Sequence, residues 1–152
     1  MLSQKTRYAL KALILLAQDA KSNKGPVLIS DLAKRGHIPQ KFLEAILLEL
    51  KNNGILQSKK GKGGGYLLAQ DQEQIKFGTV IRILEGPLAL LPCASQAHQP
   101  CPECTDETGS VIRVLFKEVR DATAQILDNT SLAKVLRAQE QILANQKAMY
   151  FI

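Results

Sequence analysis

Apolar residues recur at helical spacing near the start of the chain. Leu10, Leu13, Ile14 and Ala17 fall on one side of a helix predicted from Ser3 to about Ala20. KSNKGP interrupts that pattern, and the following VLI is long enough only for a strand fragment. Ser30 is expected to cap a short helix, DLAKRG, which Gly36 ends. After the tight HIP connection, Pro39 suits the first position of a second helix that runs to Asn53, before Gly54. This helix has two faces. Leu43, Ile46, Leu47 and Leu50 line one; Gln40, Lys41, Glu44 and Lys51 line the other, with Ala45 and Leu48 among them. A short helix, a brief turn and a longer amphipathic helix make a helix-turn-helix pattern.

The period then changes. ILQSKK reads as a strand, GKGGG as a tip and YLLA as a return strand, so a β-hairpin wing follows the helix-turn-helix. Glycines such as Gly63 let the tip take positive φ and approach another surface closely. Lys59, Lys60 and Lys62 frame it with phosphate-seeking charge. The tip is not a nucleotide loop, which needs Lys-Ser/Thr opening a helix. An amphipathic segment from Thr79 to Leu84 leads to EGP. A long periodic helix is predicted from about Glu107 to Leu127. Val111, Leu115, Val119 and Ala122 form its apolar line, widened by Ile112, Phe116, Thr123 and Ile126. DNTS breaks it, Ser131 can cap a last helix through about Asn145, and the tail AMYFI is expected to dock against the fold. The long stripe can pack on its own domain or on a second copy of the chain. The second option matches the two-fold dimers with which helix-turn-helix proteins bind paired half-sites.

The length of 152 residues suits one ordinary domain or a small domain with an appendage, and 45% hydrophobic residues exclude a disordered chain. The net charge of +6 is unevenly spread. Residues 1–70 hold twelve Lys/Arg against four Asp/Glu, whereas residues 71–152 hold eight against ten. A basic half is the electrostatic footprint of a nucleic-acid binder. An enzyme is not expected: there are two histidines, His37 and His98, no nucleophile motif, and no pair of carboxylates in a plausible pocket frame. The chain lacks a secretory pattern and any run long enough to span a bilayer, so it is read as cytoplasmic and without a membrane partner. In that compartment clustered cysteines are more often ligands or sensors than disulfides. Cys93, Cys101 and Cys104 are spaced C-x7-C-x2-C, and the C-x2-C half is a chelating bite for zinc or iron–sulfur. Three thiolates need a fourth ligand. His98 inside the loop is the first candidate, followed by Asp106 and Glu107.

Four segments, TRYALKAL, ISDLAKRGHIPQKFLEAILLELKNNGIL, KGKGGGYLLA and VIRILEGPLAL, carry a resemblance over nearly the whole chain. They resemble the Rrf-two family of winged-helix transcription regulators, the IscR/NsrR/CymR group. The GGGY wing and the LEGP that follows are the most specific parts. The resemblance implies a fold that is mainly α with a small β-hairpin wing. Residues 1–85 would form the winged helix-turn-helix DNA-binding domain, 86–106 a cysteine-containing sensor loop, and 107–152 a dimerisation helix and a C-terminal helix. It implies a homodimer on a palindromic operator in double-stranded DNA. Base-reading positions of the family fall at Pro39, Lys41, Glu44 and Ala45, and wing positions at Lys60 and Lys62. Gln40 shares the helix N-terminus, where side chains reach base edges or phosphates. Glu44 could accept from a cytosine amino group, or pair on the surface with Lys41 or Lys51. Ala45 could touch only a thymine methyl, and Lys60 lacks the bidentate fork of the arginine often found there in relatives.

The resemblance also implies an iron–sulfur cluster in the cysteine loop, of the [2Fe–2S] rather than the [4Fe–4S] type, though some members hold none. Relatives with this spacing often carry a fourth cysteine just before the long helix, where this chain has Ser110. Three readings of the loop stay open: a cluster that senses iron, oxygen or reactive nitrogen; a thiol switch through Cys101–Cys104 or Cys93; and a structural zinc. From another class, a winged-helix protein–protein adaptor also remains. The concentration of lysines on the second helix and wing argues against it.

Overall fold

The structure is a computed structural model that describes residues 1–97 and 101–151, without the side chains of Glu103, Glu107 and Thr108. Ser3 caps the first helix, α1 (Gln4–Lys21), by accepting from the Thr6 N–H. Helix α2 (Ile29–Gly36) begins two residues earlier than the sequence suggested. Leu28, not Ser30, is its N-cap and makes no side-chain cap bond. It ends with His37 in the left-handed region at φ 51°, which Gly36 does not adopt. Pro39 caps α3 (Gln40–Asn52). Strands β1 (Leu56–Lys59) and β2 (Gly65–Leu68) pair antiparallel, with Lys59 opposite Gly65.

A third segment braces the hairpin. The Val27 N–H donates to the Tyr66 carbonyl at 2.9 Å and the Tyr66 N–H to Val27 at 2.8 Å. The expected strand fragment is therefore a single bridge. Gly65 is required there, because it sits at φ +142° and a Cβ would come within 2.3 Å of the Val27 carbonyl oxygen.

Helix α4 (Phe77–Glu85) leads through two 3-10 turns, Pro92–Ala94 and Pro102–Cys104, to α5 (Glu107–Asp128) and α6 (Leu132–Tyr150). One core unites most of these elements. Leu13 and Leu16 from α1, Leu32 from α2, Leu43, Ile46, Leu47 and Leu50 from α3, Ile55, Leu56, Ile75 and Val80 meet Leu132 and Leu136 from α6. The apolar face of α3 is thus core, as its period required. The start of α6 returns to the first half of the chain, where the Leu132 N–H donates to Ile75 and Ser131 donates to Glu73.

Polar contacts fasten the far end of α5. Arg82 donates twice to Asp128, at 2.6 and 3.0 Å. Gly78 leaves room for that carboxylate, since a Cβ there would lie 1.9 Å from Asp128 Oδ1. Helix α6 runs five residues past Asn145, which takes the tail residues Ala148, Met149 and Tyr150 into the helix. The tail does not dock on this chain: Tyr150 and Phe151 are 90% and 91% exposed. No helix among the described residues is long and apolar enough to cross a membrane.

Candidate nucleic-acid interface and thiol cluster

The face of α3 opposite the core carries the expected residues. Pro39, Gln40, Lys41, Glu44 and Ala45 are all exposed, and Gln40 Nε2 donates to Glu44 Oε1 at 3.5 Å across one turn. Lys59, Lys60, Lys62 and Gly63 are exposed on the wing. Among the described residues, none of these lysines is held in an ion pair, so their charge is available to an outside anion.

The helix and wing are joined by a groove of about 300 Å³ lined by Leu28, Ile29, Ser30, Gln40, Ser58, Lys59, Gly65 and Tyr66. It brings Gln40 and Lys59 to one surface. Ser30, Ser58 and Tyr66 were missed by the sequence reasoning. Strand alternation gave no signal for Ser58, since it shares its face of β1 with the buried Leu56 while Gln57 and Lys59 face outward. The Tyr8 ring of α1 meets Phe42 of α3 edge to face, with centroids 5.9 Å apart.

An ion-pair network ties α2 to the last turn of α1. Arg35 makes two bonds to Asp19, Nη1 to Oδ2 at 2.6 Å and Nη2 to Oδ1 at 3.0 Å, and a third to Asp31 at 3.0 Å. Lys24 lies 3.6 Å from Asp19. Burial of Asp19 opposes its ionisation, but the Arg35 hydrogen bonds and the charges of Arg35 and Lys24 outweigh it. The carboxyl is held below its ordinary value. At the other end of the domain Glu85 accepts from the Ser3 N–H at 2.7 Å. Hydrogen bonds from Ser3 and Thr6 lower its pKa to about 2.

Cys93 lies on the 3-10 turn Pro92–Ala94, Cys101 precedes the turn Pro102–Cys104, and Cys104 ends it. Each turn opens on a proline, whose fixed φ suits a first helical position. The three sulfurs all lie within 4.8 Å of one another, and those of Cys101 and Cys104 are 3.3 Å apart. Cys93 and Cys104 are buried and Cys101 half-buried. Sulfurs sharing one tetrahedral zinc stand roughly 3.8 Å apart, given Zn–S bonds of about 2.3 Å. Three soft donors so gathered fit a thiophilic ion or an iron–sulfur cluster.

The other ligand candidates do not all reach this site. The Asp106 carboxylate is used as the α5 cap, accepting from the Gly109 N–H at 2.6 Å. Ser110 is half-buried in the first turn of α5 and its N–H donates to the Asp106 carbonyl. His98 and the Glu107 side chain lie outside the described residues.

Helix α5 beside the cluster faces the opposite way from an ordinary amphipathic helix. Val111, Ile112, Val114, Leu115, Val119 and Ile126 are exposed, whereas Arg113, Phe116, Lys117 and Arg120 are half-buried.

A recognition-type helix and glycine-rich wing on one surface, with thiols gathered at the base of a long helix, define a winged helix-turn-helix regulator. The chain belongs to the Rrf2 family: the family model described as an iron-dependent transcriptional regulator matches residues 2–138. It is similar to an rrf2-like HTH-type transcriptional regulator of Rhodobacter capsulatus, at 39% identity over 140 residues covering 91% of this chain and 93% of that protein. Among solved structures it is similar to CymR, the global cysteine regulator of B. subtilis, with a TM-score of 0.75 and 29% identity, covering 91% of this chain and 97% of that one. It is also similar to T. potens IscR, with a TM-score of 0.73 and 28% identity, covering 93% and 90%. These relatives are transcription regulators, a class distinct from enzymes.

Proposed function

We propose that the protein is a cytoplasmic homodimer that binds a palindromic operator in double-stranded DNA, with affinity set by the state of its cysteine loop. Pro39, Gln40, Lys41, Glu44 and Ala45 enter the major groove; Lys59, Lys60, Lys62 and Gly63 follow the adjacent backbone. Cys93, Cys101 and Cys104 hold an iron–sulfur cluster, of the [2Fe–2S] type, with His98 as fourth ligand. The cluster supplies a redox- and iron-sensitive crosslink between the two 3-10 turns. The observation that carries this reading is the gathering of three sulfurs within 4.8 Å. The dimer reading is supported by the apolar face that α5 turns outward.

The 3.3 Å between the Cys101 and Cys104 sulfurs favours a second reading, a cluster-free thiol switch. There the two thiols give up two protons and two electrons to an oxidant such as a peroxide, and form a disulfide. Protein purified without air separates the two by its visible absorption, iron and acid-labile sulfide. Colourless protein with neither iron nor sulfide would remove the cluster. DNA binding that does not weaken with added salt would remove the DNA-binding reading and leave a protein–protein adaptor.

A further inference from the structure

The two halves of the thiol cluster are held by different means. Cys101 and Cys104 sit on one local turn, closed by the Cys104 N–H donating to the Cys101 carbonyl at 3.0 Å. The turn bearing Cys93 has its own local bonds, Ala94 N–H to Leu91 and Ser95 Oγ to Pro92, but these do not fix it relative to the other two sulfurs. One bond reaches this buried turn from α5. Arg120 Nη1 donates to the carbonyl of Ala94, the residue after Cys93. The same guanidinium donates through Nε and Nη2 to Asp121 Oδ1 at 2.8 and 2.6 Å, and its side chain is only 16% exposed. A cavity of about 340 Å³, lined in part by Arg82, Ser95, Arg120 and Asp121, lies beside this contact, so packing alone does not wedge the turn on that side.

We propose that Arg120 is the positioning residue that holds Cys93 against Cys101 and Cys104 and ties the cluster to α5. This rests on the reading of the three thiols as one site. A charged donor on a buried carbonyl is the stronger kind of hydrogen bond, and its loss frees the turn to open locally. Displacement of Cys93 is in turn passed to α5 through the bond between the Ala94 carbonyl and Arg120, which itself lies on that helix.

The test uses the full-length reduced chain without air. Site-resolved alkylation by iodoacetamide, read by mass spectrometry, reports the freedom of each cysteine. Arg120→Ala is expected to raise the Cys93 rate about tenfold or more, with the Cys101 and Cys104 rates within about twofold of wild type. Added Co²⁺ reports the number of thiolates through its thiolate-to-metal charge-transfer absorption. The band is expected to fall from a three-thiolate to a two-thiolate intensity in the same variant. If Arg120→Ala loosens the whole chain, Arg120→Lys decides. Its single amine restores one donor for Ala94 but not the paired contact to Asp121, and Cys93 alone should react at an intermediate rate. Wild-type protection of Cys93 in both variants would overturn the proposal, as would equal acceleration of all three cysteines in Arg120→Lys. A wild-type chain without a Co²⁺–thiolate band would sink the shared-site reading instead, while alkylation still decides what Arg120 does.

Discussion

Leu115→Ala puts the outward apolar face of α5 to a quantitative test. Leu115 is 55% exposed in the single chain, so little of its side chain is needed to hold the protomer together. Full burial of a leucine side chain contributes about 1.5–3 kcal/mol, which leaves roughly 1–1.5 kcal/mol to be gained at an interface. A two-fold interface uses the residue twice, so removing it costs a dimer roughly 2–3 kcal/mol, or about 30- to 150-fold in dissociation constant. Sedimentation equilibrium over a dilution series measures that constant directly. The monomer's own fold should be unharmed by the substitution, in contrast to Leu47→Ala in the core, where about 2–5 kcal/mol of stability is lost. A Leu115→Ala dimer that dissociates at the wild-type concentration, or a wild type that stays monomeric throughout, would refute the reasoning about this face.

Other outcomes follow from the same structure. Lys60→Ala and Lys62→Ala should each weaken operator binding similarly across sequences and reduce the slope of log affinity against log salt by about 1. Glu44→Ala should relax preference at one base pair by about 1–3 kcal/mol, seen by selection from a randomised operator pool; an unchanged consensus would assign Glu44 to its contact with Gln40. Asp19, whose ordinary value is 3.8, has a lowered folded-state pKa. Its stabilisation is therefore complete above that ordinary value and is lost as pH falls through the folded one. Acid titrations of unfolding should show this loss in wild type and not in Arg35→Ala. Gly65→Ala should lower thermal stability by about 1–3 kcal/mol and displace the wing, since the added methyl meets backbone that cannot yield.

Much of the N-terminal domain was legible in its periods. Leu43, Ile46, Leu47 and Leu50 announce a buried face, and the change to a two-residue period after Gly54 announces the hairpin. Capping was read less well. Ser30 is a good cap by chemistry, but the helix starts at Ile29 because core packing of Leu32 and Ala33 decides its phase. Hydrophobicity of the tail was visible and suggested docking on the fold, yet Met149, Tyr150 and Phe151 stay exposed. Gln146, Lys147 and Ala148 are good helix formers, and α6 runs on through them. The spacing of the cysteines marked all three as one ligand set, with C-x2-C as its chelating half, but not how Cys93 is brought to that half. Joining Cys93 to it depends on turns started by Pro92 and Pro102 and on a bond from Arg120, 26 positions away from Ala94. No local pattern encodes such a contact.

The fastening of α5 at Asp128 has a mechanical consequence. The helix is 22 residues long, about 33 Å from the cysteine end to the end pinned on Arg82. Its pinned end adjoins Ser131 and Leu132, which are stitched into the same core as the recognition helix. The helix therefore spans the distance between the two sites: the cysteine turns lie against it, and its last turn is bonded to α4, so a displacement at the sulfurs has one continuous element along which to reach the core that carries α3.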